Sequence, residues 1–247
     1  MKMRPTLIYC ISICWILGLT MAYSQGDGTA KDSTLIKQKY GLRLGADIGK
    51  LVRTFIDNDY SGFELIGDFR LTDKLYLAGE FGIEQGSTEE NFISTTAEGT
   101  YLKLGVDYNL YRNWLDMDNM IFAGFRVAGS AFSQTLDSYG IYDVNNQYWT
   151  DNQVTVTDSN EITGLSATWI EVMLGIKAEL ITNFYAGINV QLKGRITEDE
   201  PSDFDNLWIP GFNRTFDSGV FGWGIGYTLS YRIPVYNKNK VIYEDDN

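Results

Sequence analysis

Two stretches carry residue types that could hold a cation. Asp57-Asn58-Asp59-Tyr60-Ser61-Gly62 copies the opening of a calcium loop, with Asp68 at its twelfth position. Glu198-Asp199-Glu200, with Asp203 and Asp205, could seat a divalent ion between lipid phosphates. The first reads better as an Asp- and Asn-rich turn, the second as a solvated charge run. Glu80 and Lys103 could be drawn as an acid–base pair, but a packed ion pair explains both. No metal site, cofactor or catalytic group is therefore expected.

The composition points the same way. The 247 residues contain no histidine, and both cysteines, Cys10 and Cys14, fall in the first 24 residues. Beyond that leader there is neither imidazole nor thiol. This removes Ser-His-Asp and Cys-His nucleophiles, His or Cys metal ligation and a disulfide framework. The formal charge is -12. Setting the leader's Lys2 and Arg4 aside leaves 18 basic residues against 32 acidic ones. Such a chain is a poor partner for nucleic acid.

Residues 1–24 read as a secretory signal peptide: a basic start, an apolar core from Leu7 to Met21, and Ala22-Tyr23-Ser24 before a cleavage at Gln25. An uncleaved anchor is the other reading. Residues 25–39 read as a polar lead-in, 40–235 as the folded domain and 236–247 as a tail. No run of ~18 apolar residues follows the leader, so a membrane could be crossed only by strands.

Glycine (25) and tyrosine (16) are frequent, proline (4) is scarce, and side-chain character alternates with period two. Leu42, Leu44 and Ala46 oppose Arg43 and Asp47. Ile170, Val172, Leu174 and Ile176 oppose Glu171 and Lys177. Trp223, Ile225, Tyr227 and Leu229 oppose Gly222, Gly224, Gly226, Thr228 and Ser230. Eight such segments are expected, each with roughly 9–11 alternating residues, enough to cross a bilayer when tilted. Their connections fall near 56–61, 72–74, 85–99, 111–120, 133–166, 181–183 and 196–219. From the second onward, short ones alternate with long ones, a parity that suits an up-and-down barrel with one tight-turn end.

Alternation is symmetric, so it does not say which face points inward. Charge balance does. The polar face carries Arg43, Arg70, Lys103, Arg126, Lys177, Lys193, Arg195 and Arg232 against Asp47, Glu64, Asp68, Glu80, Glu84, Asp107, Glu171 and Glu179. Eight against eight is a neutral set that can pair within a lumen. Turned toward lipid, each base would cost ~2–4 kcal/mol near the midplane. Their sum would exceed a typical net stability of ~5–15 kcal/mol. The expected fold is thus all-β: an eight-stranded antiparallel up-and-down transmembrane β-barrel with a polar, charge-paired interior. Lys50 breaks the frame, landing on the lipid side; snorkelling or a bulge at Gly49 would accommodate it.

With these strands, this loop parity and the closing Gly226-Tyr227-Thr228-Leu229-Ser230-Tyr231, the chain resembles the small eight-stranded outer-membrane β-barrels of Gram-negative bacteria, the OmpA transmembrane-domain, OmpX and PorT-like group. It departs from them in running 16 residues past Tyr231. The resemblance implies an integral outer-membrane location with both termini periplasmic, contact with outer-membrane lipid and lipopolysaccharide, and delivery by the barrel-insertion machinery. It implies no catalytic residue. The expected function is a non-enzymatic structural or interaction protein, an accessory subunit of an envelope complex being one form. Small-solute transport and a secreted soluble lipocalin-like carrier are the alternatives. Tyr139, Tyr142, Tyr148 and Trp149 in the fifth connection, and Phe204, Trp208 and Phe212 in the seventh, are the candidate surface for an envelope protein partner. Self-packing of those aromatics beneath an extended sheet is the competing reading.

Overall fold

The computed structural model describes residues 33–90, 93–111, 118–142, 153–156, 160–201, 204–215 and 219–243. The chain falls into two compact units, Met1–Leu35 with Val241–Asn247, and Ile36–Lys240. Of the first, only two strand ends, Ser33–Leu35 and Val241–Tyr243, are described. The second is the barrel.

Eight long strands form it. They are β1 (Ser33–Asp47), β2 (Tyr60–Arg70), β3 (Leu75–Glu89), β4 (Ile93–Asn109), β5 (Met120–Tyr142), β7 (Asn160–Ile181), β8 (Phe184–Glu198) and β11 (Phe221–Tyr243). Each pairs with its neighbours in chain order, and β11 returns to β1, so the sheet closes in a ring. The pairings along the wall are antiparallel, with Leu65 opposite Phe81, Val106 opposite Phe125, and Ile225 opposite Val190. Short β6 (Gln153–Val156) adds to the end of β5, from Val156 opposite Tyr139 to Gln153 opposite Tyr142. Two-residue β9 (Trp208–Ile209) and β10 (Asn213–Arg214) form a separate hairpin.

The expected fold is what the chain adopts, with the expected faces. Leu104, Val127, Leu174 and Leu192 are more than half exposed on the outside, while Lys103, Arg126, Asp107 and Glu171 are essentially inaccessible within. A soluble carrier would need the opposite arrangement, an apolar pocket inside and polar groups outside. The lipocalin-like alternative therefore does not fit this interior. Among the described residues no helix is long and apolar enough to cross a membrane.

Strand lengths correct the sequence reading. β5 has 23 residues and β7 has 22, about twice the ~9–11 a crossing needs. The surplus stands at the long-loop end, where the outward side chains turn polar. Ser87 bonds Thr96 at 2.9 Å, and Thr168 bonds Thr197 at 2.6 Å. The connection expected over 85–99 is mostly this strand extension, since β3 runs to Glu89 and β4 resumes at Ile93. Val154-Thr155-Val156, whose alternation suggests extra sheet, lies in β6. β1 opens at Ser33 rather than residue 40, and β11 runs on through the expected tail to Tyr243.

The largest departure lies after Asp47. The expected strand stops, and Ile48–Ile56 form a helix, α1. Ile48, Leu51, Val52, Phe55 and Ile56 fall at i, i+3, i+4, i+7 and i+8, the stripe of an amphipathic helix. Asp47 caps it, its carboxylate accepting the Lys50 N–H at 3.2 Å. The β1–β2 register ends at Ala46 opposite Leu65, whereas β2 continues up to Tyr60 beside β3. The helix thus stands where the upper part of β1 would have been. Side chains take over the ladder positions left at this seam. Thr54 Oγ1 accepts the Gly62 N–H at 2.9 Å and donates to its carbonyl at 3.1 Å. On the other flank the Asp47 carboxylate accepts the Tyr227 N–H at 3.4 Å. Backbone groups that lose a strand partner are costly unless something replaces it.

Candidate functional site

The lumen is where most of the described charged residues meet, and they stack in tiers. At the short-turn end, Glu179 pairs with Lys39 at 3.1 Å and Arg232 at 3.4 Å. Arg232 also bonds Asp118, to which Tyr185 donates at 2.9 Å, and Arg70 lies 3.5 Å from the same carboxylate. In the middle tier Asp68 is held by Arg43 at 2.6 Å and Lys177 at 2.7 Å. Asp107 pairs with Arg126 at 2.7 Å, which also reaches Glu80 at 3.1 Å. Above them Lys103 faces Glu80 at 3.1 Å and Glu64 and Glu171 at 3.5 Å each. Each ion faces one of opposite sign, the condition under which charges survive away from water.

Of the sixteen residues expected here, fourteen are buried and Glu179 and Arg195 half-buried. Lys193 lies 3.8 Å from Glu171, which besides Lys103 also accepts the Trp169 indole N–H at 2.7 Å. Two play smaller parts than expected. Asp47 spends its carboxylate on backbone N–H groups, and Arg195 pairs locally with Glu198 at 2.7 Å near the rim.

Sequence reasoning misses several members. Lys50 does not snorkel toward lipid, and no bulge turns it. The helix swings its ammonium inward, 2.8 Å from both Glu64 and Glu84, where it also meets the Tyr101 hydroxyl. The signal for this is the Asp47 cap followed by the apolar stripe. Lys39 falls in the expected lead-in, and Asp118 sits in a connection with no pattern to mark it.

The upper mouth is stopped by the β9–β10 hairpin. The Glu84 carboxylate accepts the Gly211 N–H at 2.6 Å, and Lys193 donates to the Gly211 carbonyl at 2.7 Å. Gly211 has φ +82°, and a β-carbon there would lie 2.5 Å from Tyr101 Cγ. Glycine is required on both counts. Ile209 and Phe212 are buried among Tyr101, Phe132, Leu165 and Trp169. Phe212 packs edge-on against Trp169, with centroids 5.9 Å apart, and Trp208 against Tyr60 at 6.1 Å.

This corrects the candidate partner surface. Trp208 and Phe212 are plug residues facing the lumen, 7% and 2% exposed. Phe204 and Tyr139 are half-buried. Only the backbone of Tyr142 is described, paired to β6, and Tyr148 and Trp149 lie outside the described residues. The calcium-loop resemblance dissolves too. Asp57 pairs with Arg53 at 3.0 Å and accepts the Asp59 N–H at 3.1 Å, while Asp68 points into the lumen. The Arg53 hydrogen bond, with that N–H, holds the Asp57 carboxyl below the usual aspartate range.

Residues 6–238 match the model of a family described as a domain of unknown function (DUF6048), and the chain belongs to that family. No curated protein matches it. Among solved structures it is similar to Ail, the attachment invasion locus protein of Yersinia pestis. The identity is 10%, the match covers 83% of this chain and 99% of that one, and the TM-score is 0.37. The barrel architecture rests on the strand pairing and burial, not on that likeness.

Proposed function

We propose that this chain is an integral outer-membrane barrel with a sealed lumen, that it catalyses no reaction, and that its strand extensions at the long-loop end present an interaction surface. The observation that carries the reading is the inversion: an apolar skin all round a core of paired ions. Water would leave that skin solvated at large cost, whereas hydrocarbon matches it. The tight-turn end, where β1 enters the wall and β11 leaves it, is then periplasmic.

The sealed lumen argues against a role in transport. A void among Asp68, Glu80, Asp107, Phe122 and Arg126 measures about 30 Å³, room for a water or two. Above it the hairpin closes the mouth. Catalysis has no candidate, since the chain beyond its leader offers no imidazole or thiol and its described buried carboxylates are committed to cations or, for Asp47, to backbone N–H groups. What projects is sheet: the ends of β3, β4, β5 and β7, with β6 alongside.

Two experiments test this. Fractionation with a carbonate wash should leave the protein in the outer membrane, with heat-modifiable mobility; recovery in the soluble fraction would end the reading. Replacing the outward Ser87, Thr168 and Thr197 of the strand extensions by lysine should keep that mobility while abolishing crosslinking to envelope neighbours. Unchanged crosslinks would move the interaction surface elsewhere.

A further inference from the structure

The change from strand to helix after Asp47 leaves β11 one neighbour short. β11 pairs with β8 from Phe221, opposite Gly194, downward. Its other neighbour, β1, ends at Asp47, beside Tyr227. Above that level β11 has a strand on one side only. Successive peptide groups of a strand point to opposite edges, and the hydrogen bonds show which way each points. Tyr227 donates toward Asp47, whereas Val220 and Arg232 bond Arg195 and Asn183 on the β8 side. Odd-numbered residues thus face the missing strand. Among the described residues nothing on that side bonds the N–H or C=O of Trp223 or Ile225.

Helix α1 does not fill the place. It is tied to the β2 side, by Thr54 on Gly62 and Lys50 on Glu64, and it meets β11 in its first turn, where Gly49 lies beside Tyr227. Further along, Ile56 is 78% exposed and Trp223 67%, so neither covers the other. The middle of a helix also has no free backbone groups to offer a ladder. Trp223 stands opposite Leu192 and Ile225 opposite Val190, both on the apolar skin. The unpaired groups therefore lie at the depth of hydrocarbon, where a bare sheet edge is not tolerated.

We propose that the Trp223–Ile225 edge of β11 is a strand-addition site for a second, different polypeptide of the envelope. The incoming segment is extended and runs antiparallel to β11, as β1 does below it. Its side chains alternate: apolar ones beside Trp223 and Ile225 face lipid, and small or polar ones beside Gly224 face inward. Only an extended backbone supplies N–H and C=O groups at the spacing of the ladder, so neither an acyl chain nor a helix fits. A second copy does not serve either. Standing the same way up across a two-fold axis, it would bring its own Ile225 against Ile225, N–H facing N–H. The site rests on the membrane reading above, which sets the cost of leaving the edge bare.

The full-length protein, extracted from outer membranes into micelles, is to be titrated with a short capped peptide of alternating valine and threonine and measured by native mass spectrometry. One peptide per chain should be retained. Ile225→Pro removes an N–H from the open edge and leaves the β8 ladder, carried by even-numbered residues, intact. It should keep heat-modifiable mobility and lower retention by about tenfold, the scale of one hydrogen bond. A peptide with a central cysteine should form a disulfide with Trp223→Cys and not with Ile188→Cys, a position exposed on the same skin. No retention by the wild type, retention untouched by Ile225→Pro, equal disulfide yield at 188 and 223, or a dimer of the peptide-free protein would each overturn the site. Carbonate-extractable protein would instead overturn the membrane reading, so the two failures are distinguishable.

Discussion

The Glu84 carboxylate and the Gly211 N–H lie 2.6 Å apart across 127 residues of chain. With Lys193 on the carbonyl of the same glycine, one residue of a connecting loop is gripped on both sides by the inner wall. The wall charges therefore do two jobs, neutralising one another and holding the stopper. Gly211→Val should undo the second. A non-glycine residue in this left-handed conformation costs ~1–2 kcal/mol, and the Tyr101 ring leaves no space. Planar-bilayer recordings should show opening events in the variant and silence in the wild type. A silent variant with its barrel intact would mean that the tiers below seal the lumen unaided.

Lys50 is the cation shared by Glu64 and Glu84. Lys50→Met should strand Glu84, leave Glu64 with Lys103 alone at 3.5 Å, and lower stability by ~3–5 kcal/mol, read as the urea midpoint for unfolding from bilayers. Asp47→Ala removes the helix cap and the acceptor of the Tyr227 N–H and should cost ~1–2 kcal/mol. Equal effects would argue that α1, not the buried ammonium, is what matters.

Lys103 touches three carboxylates, and a double-mutant cycle isolates its share. Lys103→Met should destabilise by ~3–5 kcal/mol, because Glu64, Glu80 and Glu171 then keep one cation each, Lys50, Arg126 and the more distant Lys193, in a buried site. Lys103→Met combined with Glu171→Gln should recover part of that loss. Strict additivity of the two would show that they do not interact.

Cysteine labelling can use a chain with no thiol beyond its leader. Nitroxides at Ile188 and Val190 should be relaxed by oxygen dissolved in hydrocarbon. Ones at Thr228 and Ser230, which face the lumen, should not. Reversed accessibility would mean that the two faces of the wall are exchanged.

Asp57 provides a pH test outside the spanning strands. Its carboxyl is held below the usual ~3.9 by Arg53 and the Asp59 N–H. Its contribution to the turn is therefore complete above that usual value and lost as pH falls through the lowered one. Carboxyl carbon NMR should give an Asp57 midpoint below ~3.9 that rises toward it in Arg53→Gln. A midpoint at or above the usual value in the wild type would sink the pairing.

Much of the barrel is legible because period-two alternation is a local property of sequence, and charge neutrality of one face settles its direction. Arg43, Lys103 and Glu171 can be placed in the lumen without coordinates. What escapes depends on distance in space. Trp208 and Phe212 look like exposed loop aromatics until the chain doubles back onto Trp169 and Tyr60. Ile48–Ile56 pass for strand because alternation up to Asp47 carries the eye past a helical stripe only nine residues long. Lys39 and Asp118 belong to the network through neighbours that no short-range pattern joins to them.

The strand made first is sealed against the strand made last. Gly45 of β1 lies so close to the Leu229 carbonyl and Ser230 that neither would admit a side chain. A growing chain therefore has two raw margins until its final segment has been delivered. Whatever escorts it must shield both for the whole interval, and a protein shortened before residue 230 would remain an open ribbon.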